Sequence, residues 1–205
     1  CKMITDQQIK MIFLSSGGTV YGNQEIQPIT EDALPRPINH YGNVKLCIEN
    51  TIRTFNYQAH TKILIARISN PYGPGQDFNK GVGFIDAAIK KTIRSEKIEI
   101  WGDGNNVRDY IYIDDVCRML ISLFYYQEDY DTFNISSNTG TSQRDVIRML
   151  EAMQLAPQVE YLPARSVDAK KIILNNERIM SIHAVPLVPV EQGIRKYYQW
   201  LKKEI

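Results

Sequence analysis

Phe13 to Gly22 reads FLSSGGTVYG, and an apolar run from Ile9 to Leu14, interrupted only by Lys10, leads into it. Apolar residues that give way abruptly to small and hydroxylated ones describe a buried parallel strand whose carboxyl end opens into a site. Ser15, Ser16 and Thr19 place hydroxyls around Gly17 and Gly18, where little side-chain bulk shields the main chain. On a straight strand Ser15, Gly17 and Thr19 share one face; a bend at the glycines would instead present Ser16.

Downstream, GNQEIQPITEDALPRPINH carries Pro28, Pro35 and Pro37, a density that excludes regular helix and predicts an extended surface loop. A helical pattern then runs from Tyr41 to about Gln58, with Val44, Cys47, Ile48, Ile52 and Phe55 on one stripe. KILIARIS, residues 62–69, is a second apolar strand, ended by NPYGPG. Strand, helix and strand, both strands apolar throughout, imply a right-handed crossover and a parallel sheet.

Beyond residue 75 the pattern changes. A helix from about Gly83 to Ser95 is followed by IEIW, the turn GDGNN and VRDYIYI, which read as a β-hairpin. A helix from Asp114 to about Tyr126 follows, the acidic pair serving as its start. Next come the short strand TFNI, a helix to about Gln154 opened by a Ser142/Asp145 capping box, and the strand QVEY. A last helix spans Val190 to Lys203, with Ile194, Tyr198 and Leu201 on one face. The fold class is therefore α/β: a partial Rossmann-like, doubly wound parallel sheet over residues 1–75, with a smaller mixed α/β substrate lobe over 76–205. A glycine-rich dinucleotide turn of the GxGxxG kind is absent from the sequence, so either no dinucleotide binds or that half precedes Cys1.

Composition narrows the function classes. With 43% hydrophobic and 23% charged residues, and a net charge of +1, the 205-residue chain reads as an ordinary globular protein without a polyanion partner. Its basic residues are scattered, which argues against nucleic acid. Cys1, Cys47 and Cys117 are odd in number and far apart, so a reducing, cytoplasmic setting is expected rather than a disulfide framework. No run approaches the about 18 apolar residues of a membrane span. His60 and His183 lack neighbours at ligand spacing, so no metal site is expected, and His40 reads as a loop histidine.

YGNVK sets Tyr41 and Lys45 at i and i+4, one turn apart on the same helix face. A phenol is a poor base at neutral pH, and a nearby ammonium favours its phenolate. Taken alone the pair is as consistent with a solvated helix surface. In order along the chain, however, stand SSGGTVYG, Glu31 in the proline loop, YGNVK with Glu49, ARISNPYGPG, IWGDGNNVRDYIYIDD, the NISS segment, Arg165 with Asp168, and EQGIRKYYQWLK. In this ordered set the chain resembles the extended short-chain dehydrogenase/reductase family, in particular its nucleotide-sugar epimerases and dehydratases. What is missing is the N-terminal part of that fold, roughly a third of it, including the glycine-rich turn.

The resemblance implies NAD as cofactor and a UDP-sugar or other nucleotide-sugar as substrate. In such enzymes the sugar C4 loses hydride to NAD while a tyrosine phenolate takes the C4 hydroxyl proton. The 4-keto sugar is then reduced on its other face, as in a UDP-glucose/UDP-galactose 4-epimerase, or loses water first. Carried over, Tyr41 is the base and Lys45 its partner, also placed to hold the nicotinamide ribose; Ser15, Ser16 and Ser69 would face the cofactor. Asn70 would meet the sugar diphosphate, Trp101 the base, Arg108 the diphosphate or ribose, Arg165 the diphosphate and Asp168 the ribose hydroxyls. An arginine suits phosphate because its planar fork matches the oxygens.

Two departures matter. The family usually carries Ser or Thr four residues before the tyrosine of VYG, a position held here by Gly17. Thr19 and Ser16 are the nearby hydroxyls that can substitute, and strand alternation favours Thr19. Family dehydratases carry an Asp-Glu pair where this chain has Gly18 and Thr19, so elimination would lack its acid and base and an epimerase or dehydrogenase is favoured. The resemblance implies a homodimer through the Tyr41 helix, with Cys47, Ile48 and Phe55 at the contact, and a core role accounts for these residues equally well. By itself the fragment is expected to be inactive.

Overall fold

The apolar run before Ser15 forms strand β1 (Ile12–Ser16) in the computed structural model, which describes residues 10–76, 83–164 and 170–204. The strand stops at Ser16 because Gly17–Val20 winds into a single helical turn, α1. That turn corrects the straight-strand reading, in which Ser15, Gly17 and Thr19 were to share a face. Glycines hold no Cβ that would keep the chain pleated, and a Cβ at Gly17 would run into Leu174 and sit 3.1 Å from the Arg67 carbonyl oxygen. The proline-rich loop then leads to α2 (His40–Ala59), begun by Asn39, whose side chain accepts the Gly42 N–H at 2.8 Å.

The chain continues through β2 (Leu64–Ile68), β3 (Asn70–Tyr72), α3 (Phe84–Ile93), β4 (Lys97–Trp101), β5 (Val107–Tyr112), α4 (Ile113–Tyr125) and β6 (Thr132–Ile135). After these come β7 (Gly140–Ser142), α5 (Gln143–Ala152), β8 (Gln158–Leu162), β9 (Lys171–Ile172), α6 (Glu177–Met180) and α7 (Val190–Glu204). β1, β2 and β6 make a parallel sheet in that order, in register from Ile12 opposite Leu64 to Ser16 opposite Ile68. The carboxyl ends of β1 and β2 therefore finish level, at the Ser15–Gly18 and Ser69–Asn70 turns. β3, β5, β7 and β9 form a second sheet, and since β6 belongs to the first, the chain beyond residue 75 contributes to both layers.

The hairpin expected from IEIW–GDGNN–VRDYIYI does not form. β4 pairs in parallel with β8, whereas β5 pairs in parallel with β3 and β9 and antiparallel with β7. Asp109 to Tyr112 are buried on both faces, so β5 needs partners on both edges. The intervening loop, with Gly102 and Gly104 at φ 84° and 75°, is also too long for a two-residue hairpin turn. Ser142 and Asp145 do close the capping box at the start of α5. No side-chain cap opens α4: buried Asp115 instead accepts the Val188 N–H at 2.8 Å and pairs with Arg118.

The apolar stripe read on α2 is buried only in its second half, at Ile52 and, in part, Phe55. Val44 is 57% exposed and Ile48 37%, while Glu49 and Ile52 turn inward. Glu49 is drawn in by Arg67 of β2, whose guanidinium needs a carboxylate beneath the helix. Ile52 packs with Ile63 and Ile65, and Leu64, Ala66, Ile111, Met119, Leu123, Phe133 and Ile135 form the core on the other side. Each such side chain contributes roughly 1.5–3 kcal/mol by leaving water. Among the described residues no helix is long and apolar enough to cross a membrane.

Candidate active site

Tyr41 and Lys45 stand one turn apart on α2, with the Lys45 Nζ 5.5 Å from the centre of the Tyr41 ring. Lys45 is steadied from the sheet side, donating to the Leu14 carbonyl at 2.8 Å and lying 5.0 Å from the Phe13 ring centre. Tyr41 remains 56% exposed, open to a ligand. Gly42 lets the helix reach α1: a Cβ there would sit 2.6 Å from the Thr19 carbonyl oxygen and 3.0 Å from the Pro37 Cβ. The helix that carries Tyr41 and the hydroxyl-bearing turn are thus in contact through backbone. Thr19 Oγ1 is buried without a hydrogen-bond partner among the described residues, an unmet polar group of the kind a ligand satisfies. Ser16 sits half-buried at the head of α1, with no capping bond from its side chain.

Ser15 faces α2. It is buried, and its hydroxyl donates to Glu49 Oε1 at 2.5 Å. Glu49 also accepts from Arg67 Nη2 at 2.7 Å and Arg53 Nη2 at 3.2 Å. Burial works against the charged carboxylate, but the Arg67 hydrogen bonds and charge, with Ser15 and Arg53, hold its pKa below the usual carboxylate value. Arg67 in turn lies over the Tyr21 ring, and the Tyr21 hydroxyl donates to Asn134 Oδ1 at 2.7 Å. Burial pushes that phenol up to about 12, so Tyr21 is a hydrogen-bond donor and not a base.

Asp109 is the residue that sequence reasoning missed. Its buried carboxylate accepts the Ser137 N–H at 2.9 Å, the Ser137 hydroxyl at 2.8 Å, the Asn138 N–H at 3.1 Å and the Leu174 N–H at 3.2 Å. The Ser69 hydroxyl donates to it at 3.4 Å, and the Asn70 side-chain amide donates to its carbonyl oxygen at 3.0 Å. Asp109 therefore holds both residues that follow β2. A carboxylate leading into the buried run YIY of the strand VRDYIY was the available signal.

Asn70 also approaches α1, since a Cβ at Gly18 would lie 3.7 Å from its Oδ1. On its other side Asn70 shares with Arg108 a cavity of about 210 Å³ walled by Tyr72, Phe84 and Tyr110. The structure thus links the candidate residues through neighbours: Lys45 beside Tyr41, Thr19 against Gly42, Gly18 beside Asn70, and Asn70 with Arg108 in the cavity. Trp101 ends β4, in the separate pair with β8, and is not among the residues lining this cavity. Arg165 and Asp168 lie outside the described residues. Among the described residues no cluster of His, Cys, Asp and Glu that could hold a metal is present.

The model of the NAD dependent epimerase/dehydratase family matches residues 1–136. This chain belongs to that family. Within the NAD dependent epimerase/dehydratase family it is similar to a putative UDP-glucose 4-epimerase of Methanocaldococcus jannaschii, 28% identical over 94% of this chain and 63% of the relative. It is 33% identical to the dTDP-4-dehydro-6-deoxyglucose reductase of Escherichia coli over 91% of this chain and 60% of the relative. The crystal structure of the UDP-glucose 4-epimerase of Thermotoga maritima with UDP-glucose superposes with a TM-score of 0.91 at 29% identity, covering 99% of this chain and 67% of that one. The chain therefore spans about three fifths of the curated relatives it matches.

The family's cofactor is NAD, and the residues present fit its nicotinamide end. An exposed tyrosine and a lysine sit at the carboxyl ends of parallel strands, where open α/β sheets take their ligands. The glycine-rich turn for the pyrophosphate is not within these 205 residues.

Proposed function

We propose that the full-length protein carrying this chain is an NAD-dependent nucleotide-sugar 4-epimerase of the UDP-glucose/UDP-galactose type. The observation that carries the reading is the exposed Tyr41 with Lys45 one turn along and the Thr19 turn packed against Gly42. Tyr41, as phenolate, takes the proton of the sugar C4 hydroxyl, and the Lys45 ammonium stabilises that phenolate. Thr19 Oγ1 offers the hydroxyl that bridges sugar oxygen and phenol, in place of the side chain that Gly17 lacks. NAD, when bound, would supply the hydride acceptor for the sugar C4 and the donor for its reduction. Tyr41, Lys45 and Ser69 are the residues that would hold its nicotinamide end. Asn70 and Arg108 fix the sugar diphosphate, Arg108 through its fork of donors. Neither Gly18 nor Thr19 carries a carboxylic acid, so loss of water has no acid here, which favours epimerisation over dehydration.

Tyr41→Phe in the full-length enzyme should lower kcat by about a hundredfold to ten-thousandfold with UDP-sugar binding kept, measured by coupled turnover and calorimetry. A turnover near that of wild type removes Tyr41 from the role. The similarity to a reductase favours one second reading, net reduction at C4. In that case NADH falls in proportion to product, whereas an epimerase leaves total NADH constant.

A further inference from the structure

Gln143 is the first residue of α5, and its backbone is clamped from both sides. Ser142 pairs with Val107 and Thr141 with Arg108 in the antiparallel β7·β5 ladder, and the Arg144 N–H donates to the Gly104 carbonyl at 3.2 Å. The helix start makes no call on the Gln143 side chain, because Ser142 and Asp145 already close the cap on each other. That side chain turns into the cavity of about 210 Å³ that Asn70, Asn106 and Arg108 also line, with Tyr72 and Tyr110 as its apolar wall. There its amide oxygen is buried and has no hydrogen-bond partner among the described residues. A buried acceptor left open in a cavity selects a ligand that brings a donor, and it rejects an analogue lacking one.

We infer that Gln143 is a specificity-determining residue that accepts a hydrogen bond from the nucleoside half of the substrate. The inference rests on the nucleotide-sugar reading of the same cavity. Arg108 supplies the cation of that wall, so phosphate oxygens gather at its end. Gln143, which follows the residue paired with Val107, lies within a nucleoside's length of it. Two kinds of group of a uridine nucleotide at that remove from the phosphates are hydrogen-bond donors: the ribose 2′- and 3′-hydroxyls and the ring N3–H of the base. Both present the same chemistry to an amide oxygen. The cavity is smaller than the usual range for a whole drug-sized ligand, which agrees with one holding a nucleoside-sized part of the substrate.

The test is calorimetric titration of the full-length protein with UDP, 2′,3′-dideoxy-UDP and CDP, for wild type, Gln143→Leu and Gln143→Met. The two variants differ in shape, and the comparison uses whichever melts within a few degrees of wild type. Loss of the acceptor should weaken UDP by about tenfold or more. If the donor is a ribose hydroxyl, the wild-type preference for UDP over 2′,3′-dideoxy-UDP collapses in the variants while the preference over CDP stays. If it is N3–H, which cytosine lacks, the preference over CDP collapses instead. Variants that bind all three nucleotides in the wild-type ratios overturn the role of Gln143, and the nucleotide reading survives. Wild type that binds none of the three removes the UDP-sugar reading, and this inference with it.

Discussion

Glu49 accepts hydrogen bonds from Ser15, Arg67 and Arg53 and shows no surface to solvent, so the helix bearing Tyr41 is tied to β1 and β2 by one carboxylate. Glu49→Gln would leave the buried Arg67 charge without its partner. The expected loss is about 3–5 kcal/mol, read from urea unfolding. A second pair of substitutions separates the two hydroxyls near the base. The alternation that first favoured Thr19 does not apply, because residues 17–20 are helical, but its buried, unpartnered Oγ1 favours it for a better reason. Thr19→Val should therefore lower kcat of the full-length enzyme more than Ser16→Ala. The reverse ranking would give the bridging role to Ser16. Gly17 is accounted for by space, since Leu174 and the Arg67 carbonyl occupy the volume a side chain would need.

Helix α2 serves two surfaces. Its inner side, Gly42, Glu49 and Ile52, sets the height and tilt of Tyr41 over the sheet; its outer side leaves Val44, Cys47 and Ile48 in solvent. An exposed apolar stripe on a helix supports self-association, with a second copy of the protein as the occupant proposed here. Ile48→Glu should then shift the full-length protein toward monomer in sedimentation runs across a dilution series, with little change in its melting temperature. If wild type is monomeric at every concentration, the stripe has another role. The 102–106 loop shows how an element with hairpin composition is overruled. Its turn forms, with the Asn105 N–H donating to Asp103 at 2.9 Å, but each flanking strand finds a better partner elsewhere.

Across the molecule the two layers meet at Asp109, which ties the Ser69–Asn70 turn, the 137–138 loop and Leu174 together. Burial raises its carboxyl to about 6, while the donors around it pull the other way. A folded-state value above the unfolded one contributes stability that is complete below about pH 4 and is lost as pH rises through about 6. Asp109→Asn cannot accept every one of these bonds and should cost about 2 kcal/mol or more. The stability gap between wild type and variant should be widest near pH 4 and narrow to a plateau above about pH 6, by chemical denaturation at a series of pH values. A gap that widens with pH would mean the ionised carboxylate is the form the fold prefers.

The amino-acid pattern alone determined the strand–helix–strand unit, the i, i+4 pairing of Tyr41 with Lys45, the capping box of α5 and the terminal helix. Each of these follows from interactions within a few residues of chain: apolar periodicity, one helical turn, a side chain reaching its own backbone. Only the tertiary structure decided that Glu49 rather than Ile48 turns inward, that β4 and β5 part company, and that Asp109 joins both layers. Those outcomes depend on partners far along the chain, such as Arg67 for Glu49, Gln158–Leu162 for β4 and Leu174 for Asp109. Burial and charge pairing between distant segments leave little trace in local sequence, because the same residue is stable inside or outside according to what the fold brings beside it.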